Sequence, residues 1–362
     1  DKRKNENGTE VIRLARMAKQ NKDYRMAAKA YQYIIDQGEE HPFYITANLE
    51  QIGIKYEQLK DGELQSKEEI QGLINQYQNA LEVFGWQRRT VPLILEYAEV
   101  AAYYANDIPL ARKLIQKAFD VPGIGEDDLA ELKILLADIL VLENDIWEAS
   151  LYYMQVEEDF KQDRLGHLAK FKNAKLYYYA GQFEWAKAQL DVLKASTSKL
   201  IANDAMQLSL LIADNLNLDT TLVPMETFAR ADLLVQQHQY EKATQTLDTL
   251  QKKYPFHSLN DEILMLKGKM AEQQGEYENA ISFYLKVYTE FKDEIYADDA
   301  VFKVAEIYEK ELGNDKEAAE YYKKILFEFK GSLYIIEARK RFRAITGSNF
   351  DNDKDFKKIE MP

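Results

Sequence analysis

Between residues 280 and 291 the apolar positions Ala280, Phe283, Tyr284, Val287, Tyr288 and Phe291 recur at steps of three and four, with polar residues between them. That period lays them along one stripe of an amphipathic helix. The pattern then returns: "GEYENAISFYLKVYTEFKDEIYADDA" (275–300) and "GNDKEAAEYYKKILFEFKGSLYIIEA" (313–338) run in register through glycine, alanine, an aromatic pair, lysine, phenylalanine-lysine, tyrosine and alanine. Few alternating β-branched runs compete with this period, so the chain is predicted to be helical throughout, with no sheet.

A short turn followed by alanine marks the repeat along most of the chain. It occurs ahead of Ala27, Ala111, Ala149, Ala186, Ala243, Ala280 and Ala318, and from Ala111 onward the steps are 38, 37, 57, 37 and 38. The long step leaves room for one extra helix, placed at "KLIANDAMQLSLLIADNLN" (199–217). Glycine or asparagine in the turn supplies the left-handed backbone that ends a helix. Alanine lets two helices approach closely. A fixed period of this size predicts stacked helix pairs, an α-solenoid of roughly eighteen helices. The prolines agree, falling at helix starts, connections or the tail.

These residues resemble the tetratricopeptide repeat family from about residue 9 to 345. The match is strongest at 223–345, where Leu264, Gly268, Gly275, Tyr277, Ala280 and Tyr284 stand in the family's order. Ala137, Ala174 and Ala231 depart from it, standing where the family prefers glycine, and the period exceeds the family's usual 34. The resemblance implies an all-α superhelix of antiparallel helix pairs. The organisation expected is a flexible 1–8; repeats at 9–120 with an irregular, longer pair at 43–85; central repeats at 121–198; the inserted helix within 199–222; repeats at 223–331; a capping helix at 332–345; and a flexible tail at 346–362. Arg339, Lys340, Arg341 and Arg343 are expected to give that capping helix a polar outer face.

Composition narrows the function. A net charge of -14 and a pI near 5.0 disfavour binding to phosphate backbones. No run approaches the ~18 apolar residues of a membrane helix. The absence of cysteine removes disulfides, thiolate metal sites and cysteine nucleophiles. The opening "DKRKNENGTE" has neither an initiator methionine nor a signal sequence, so any export signal or lipid anchor would lie upstream.

Motifs that carry chemistry are missing. The four histidines are scattered, and His238 occupies a turn position. No HExxH pair or glycine-rich phosphate loop occurs, and "PGIGEDD" (122–128) reads as a connection in which Glu126 and Asp127 cap the next helix. Asp351, Asp353 and Asp355 have the first spacings of a calcium loop, but Phe356 takes the place of its glycine and Pro362 that of its glutamate. No catalytic residue, cofactor or metal is expected, and the chain is read as non-enzymatic.

Function is expected on the concave face that such repeats present to a peptide or helix of a partner. The family register puts Leu168, Phe171, Lys175 and Tyr178 on that face, with Ile134, Asp138 and Val141 from the preceding repeat and Phe228, Asp232 and Val235 from a later one. Tyr177, Tyr178 and Tyr179 fan across about 200° of helix. With Tyr177 at a packing position, Tyr178 and Tyr179 are expected to be exposed as binding anchors. Lys170 and Asn173 superficially resemble a terminal-carboxylate clamp, but their spacing is wrong. The last two repeats also resemble those of bacterial envelope proteins, the Tol–Pal coordinator and the barrel-assembly lipoprotein. That likeness implies a periplasmic or outer-membrane-associated adaptor. The alternatives are a glycan-binding outer-membrane lipoprotein and a cytoplasmic peptide-sensing regulator.

Overall fold

In the computed structural model, which describes residues 8–64, 66–195, 198–216 and 221–347, the turns before the seven marker alanines share one geometry. Lys22, Asn106, Asn144, Gly181, His238, Gly275 and Gly313 all have positive φ, between 54° and 73°. The next residue donates its N–H back across the turn to the preceding helix, as Asp145 does to Leu140 (2.8 Å) and Glu276 to Ala271 (2.8 Å). This bond satisfies carbonyls that a helix end would otherwise leave bare. That same residue begins the second helix. Asp23, Asp107, Asp145 and Asn314 accept from the N–H three residues on, at 3.0 to 3.3 Å, each cap contributing about 1 kcal/mol. Four residues after it comes the alanine, and all seven are fully buried.

Among the described residues there are eighteen α-helices and no strand, divided between two compact units. The first covers residues up to 176 together with 193–202. It contains α1 (Thr9–Gln20), α2 (Tyr24–Ile35), α3 (Tyr44–Lys60), α4 (Lys67–Phe84), α5 (Val91–Glu99), α6 (Ile108–Phe119), α7 (Glu126–Leu142), α8 (Ile146–Asp159) and most of α9 (Arg164–Tyr179). The stretch 43–85, which fits the repeat pattern poorly, forms α3 and α4 of 17 and 18 residues. A Ser66–Glu69 capping box starts α4, satisfying two backbone donors at once. A π-helical turn, Val100–Tyr104, extends α5 and was not anticipated. Glu126 and Asp127 were expected to cap α7; Gly125 is the cap, and the two acids lie in the first turn facing the helix dipole.

The second unit holds the end of α9, then α10 (Phe183–Leu193), α11 (Lys199–Leu216) from residue 203, α12 (Val223–Gln236), α13 (Tyr240–Lys253), α14 (Asn260–Gln273), α15 (Tyr277–Glu290), α16 (Ala297–Lys310), α17 (Asp315–Glu328) and α18 (Ile335–Thr346). From α12 to α18 each helix packs on the next. The basic residues of α18 were expected to face outward. Lys340 is exposed, while Arg341 reaches Glu309 on α16 (3.1 Å) as well as Glu337 on its own helix (2.8 Å), and the apolar Leu333 and Ile336 are exposed beside them. The segments 1–7 and 348–362, with the aspartates of the calcium-like spacing, lie outside the described residues.

Within the helix pairs, tyrosines fill the core and their hydroxyls reach its edge. Tyr31, Tyr153, Tyr284 and Tyr322 are essentially fully buried, and each donates to a carboxylate on a neighbouring helix: Glu50 (2.8 Å), Asp138 (2.5 Å), Glu272 (2.9 Å) and Glu309 (2.5 Å). A cation from a further helix completes each group: Arg16 on Glu50, Lys172 on Asp138 (2.7 Å), Lys303 on Glu272 (3.6 Å) and Arg341 on Glu309. Three helices are tied at each such point, and the carboxylate is neutralised where it leaves water.

Gly268 shows how close the helices come. A Cβ there would lie 2.5 Å from Tyr284 Cε1. In the repeats with Ala174 and Ala231, the position matching Tyr284 holds the smaller Leu190 and Leu247. Ala137 coexists with Tyr153, so glycine is required by the α14–α15 spacing and not by every repeat.

Candidate partner-binding site

The register-derived residues divide into two sets. In the first unit, Asp138, Leu168, Phe171 and Lys175 are half-buried, while Ile134 and Val141 are buried. Ile134 and Val141 belong to the core because α7 is apolar nearly all round, with Leu132, Leu135, Leu136, Ile139 and Leu140 also buried. Asp138 is occupied by Tyr153 and Lys172. The clamp-like pair is structural: Lys170 is held by Glu157 (2.8 Å), and Asn173 accepts from Ser150 (2.7 Å) inside the core.

In the second unit Phe228 and Val235 are buried, and so, against expectation, is Tyr178. The cause is local. Gly181 turns the chain so that Phe183 comes back over the end of α9, with the Tyr178 and Phe183 rings 6.0 Å apart and Tyr179 at 5.4 Å. Tyr179 and Asp232 are half-buried.

Tyr178, Tyr179 and Asp232 come together with residues that the register did not single out. The Tyr178 hydroxyl is within electrostatic reach of Asp232 on α12, Glu262 on α14 and Tyr296 just before α16. Tyr296 in turn feels Glu262, Asp299, Asp261 and Asp214. Burial pushes Tyr178, Tyr179 and Tyr296 well above the usual tyrosine range. Asp299, desolvated although it accepts from Tyr334, is pushed up to about 6.

Glu262 is the centre of this cluster. Only 5% of it is exposed. Its Oε1 accepts from Asn215 Nδ2 (2.9 Å), and Asn215 is itself held by Ser258 (2.6 Å). The Tyr178 hydroxyl beside it has no hydrogen-bond partner. Burial, then the hydrogen bond and charge of Asp261, push the Glu262 carboxyl up to about 9. In the sequence "NDEILMLKGKM" these acids read as the solvated start of a helix. Burial comes from Asn215, 47 residues away, a contact with no local signature.

One signal was legible. Lys172, Lys303 and Arg341 share one place in the repeat register, two residues before Ala174, Ala305 and Arg343, and each meets a carboxylate of the preceding pair or helix, Asp138 at one position and Glu272 and Glu309 one turn further along. In α14 that place is Leu266. Asp232 stands in the register of Asp138 and has no cation among the described residues.

Comparison with known proteins places residues 228–300 in the tetratricopeptide repeat family, the segment that contains Asp232, Glu262 and Tyr296. No curated protein matches the chain. Solved structures with loose similarity include a tetratricopeptide repeat protein from Parabacteroides merdae, 12% identical with a TM-score of 0.40 over 82% of this chain and 98% of that one. Human IFIT1, solved as a dimer with m7Gppp-AAAA, is 12% identical with a TM-score of 0.38 over 90% and 68%. Naa15/Naa10 bound to HypK is 13% identical with a TM-score of 0.33 over 94% and 64%. Likenesses this loose do not bear on function.

Proposed function

Taking residues 228–300 as tetratricopeptide repeats within an all-α array of helix pairs, we propose that this chain is a non-catalytic scaffold that docks partner proteins in a bacterial envelope complex. The observation that carries the docking reading is the cluster in the second unit. It holds half-buried Tyr179, Asp232 and Tyr296 around buried Tyr178 and Glu262, on elements from different repeats. Tyrosines that offer area and a polar tip at little entropic cost are common binding anchors. The envelope reading is supported by the likeness of "FKDEIYADDAVFKVAEIYEK" and "FKGSLYIIEARKRFR" to the repeats of periplasmic and outer-membrane adaptors.

The test is mild crosslinking in cells, affinity purification of the full-length protein and mass spectrometry of what is retained. Recovery of periplasmic or outer-membrane machinery, crosslinked within 177–192 or 203–347, is the expected outcome. Recovery of cytosolic proteins alone would overturn the envelope assignment. Recovery of nothing above background would overturn the scaffold.

A further inference from the structure

We infer that the meeting of α1, α3 and α5 at Glu96 is a pH-sensitive joint, tight while that carboxyl carries its proton and loosened when the proton leaves. The inference is independent of the scaffold reading and concerns how the first unit is held together. Three observations lead to it.

The first is a reversal of charge. Lys303 and Arg341, two residues before Ala305 and Arg343, meet Glu272 and Glu309, four residues after Gly268 and Ala305. Counted in the same way from Gly53 and Ala98, those places in α3 and α5 hold Glu57 and Glu96, so an acid faces an acid. The cation comes instead from α1, where Lys19 lies 3.8 Å from Glu57 Oε1. Glu99, one turn along α5, adds a further carboxylate. Among the described groups facing Glu96, Glu57 and Glu99 outnumber Lys19.

The second is a side chain left out. Lys19 Nζ and Glu96 Oε1 each lie 3.1 Å from the place a Cβ on Gly53 would take. Gly53 stands inside α3 with no positive φ, so its backbone does not call for glycine. Glycine weakens a helix interior. Here its missing side chain lets groups from α1 and α5 meet across the backbone of α3, which ties the three helices at one point.

The third is weak support for the anion. Glu96 is half-buried, and Tyr77 on α4 donates to its Oε2 over a long 3.4 Å. Tyr56 on α3 gives its hydroxyl to Glu99, which Tyr103 and Tyr104 of the π-helical turn also face. Burial, opposed by Lys19 and reinforced by Glu57 and Glu99, holds the Glu96 proton up to about 7 against an ordinary 4.5. The closed joint therefore binds this proton more tightly than an opened one. The stability it contributes is full below 4.5 and is lost as pH rises through about 7.

The experiment is amide hydrogen exchange of the full-length chain from pH 5 to pH 9, resolved by segment, with each rate divided by the intrinsic rate at that pH. In the wild type, opening of amides in α1, α3 and α5 is expected to rise about tenfold from pH 6 to pH 8 and then level off. E96Q keeps the shape of the side chain and cannot ionise, so it should abolish the rise. Two further variants should move the pH at which the rise levels off, in opposite directions. K19M should move it up, because the anion loses its cation, and E57Q should move it down, because the anion loses a repelling charge. Side chains that only packed the joint would change the level of exchange and leave that pH in place. The inference falls if the wild type shows no rise in these helices, if E96Q retains it, or if neither K19M nor E57Q shifts it.

Discussion

Replacing Gly268 with alanine tests how the helix pairs achieve their spacing. The new Cβ would sit 2.5 Å from Tyr284 Cε1 and 2.8 Å from its Cδ1 and Cζ. That is about 1 Å inside a comfortable carbon–carbon contact. Tyr284 has little freedom to retreat, being 1% exposed with its hydroxyl donated to Glu272 at 2.9 Å. Overpacking of this kind costs roughly 1–3 kcal/mol, and loss of the hydroxyl bond adds about 1 kcal/mol. Alanine returns about 1 kcal/mol through its better helix propensity. The net expectation is a destabilisation of about 1–3 kcal/mol, concentrated in α14 and α15. Helical arrays can unfold in parts, so the assay is amide hydrogen exchange resolved by segment, with urea titration beside it. Faster exchange should be confined to the neighbourhood of 260–290. Adding Tyr284→Leu, the residue type at the matching register position of the repeats with Ala174 and Ala231, should recover part of the loss. If Gly268→Ala is as stable as the wild type, or the double variant only adds the two single losses, the close-approach argument is wrong.

Other consequences follow from single groups. The folded chain holds the Glu262 proton up to about 9 against an ordinary 4.5, so the folded state binds more protons than the unfolded one between those values and loses stability as pH rises through that window. E262Q should therefore gain on the wild type between pH 5 and pH 8 in urea midpoints; equal slopes would exclude the assignment. His238 has φ 57° where Gly181, Gly275 and Gly313 stand in other repeats, so H238G is expected to raise stability by up to about 1 kcal/mol, and a loss would mean that its 2.8 Å contact with Tyr240 matters more. K172M leaves Asp138 without its cation, with only 18% of that side chain exposed; a loss of about 1–2 kcal/mol is expected. Adding D138N should restore most of it, and failure to do so would show that the lysine acts through its stem alone.

The sequence by itself determined the repeating unit. A left-handed turn residue, a capping residue and an alanine at fixed offsets are local instructions, readable because each acts within one turn of backbone, and every marker alanine is buried as that logic requires. The sequence also carried the register in which Asp138 and Asp232 correspond and Leu266 interrupts a series of cations. What only the tertiary structure decided is which faces of those helices meet water. Tyr178, Ile134, Val141, Phe228 and Val235 share a register with half-exposed neighbours but are buried, because helices enclosed by neighbours expose only a narrow strip. Glu262 became unusual through Asn215, 47 positions away. A helical stripe specifies that a face is apolar or polar; the partner that covers it, and the charge left unanswered there, depend on contacts between helices distant in the chain.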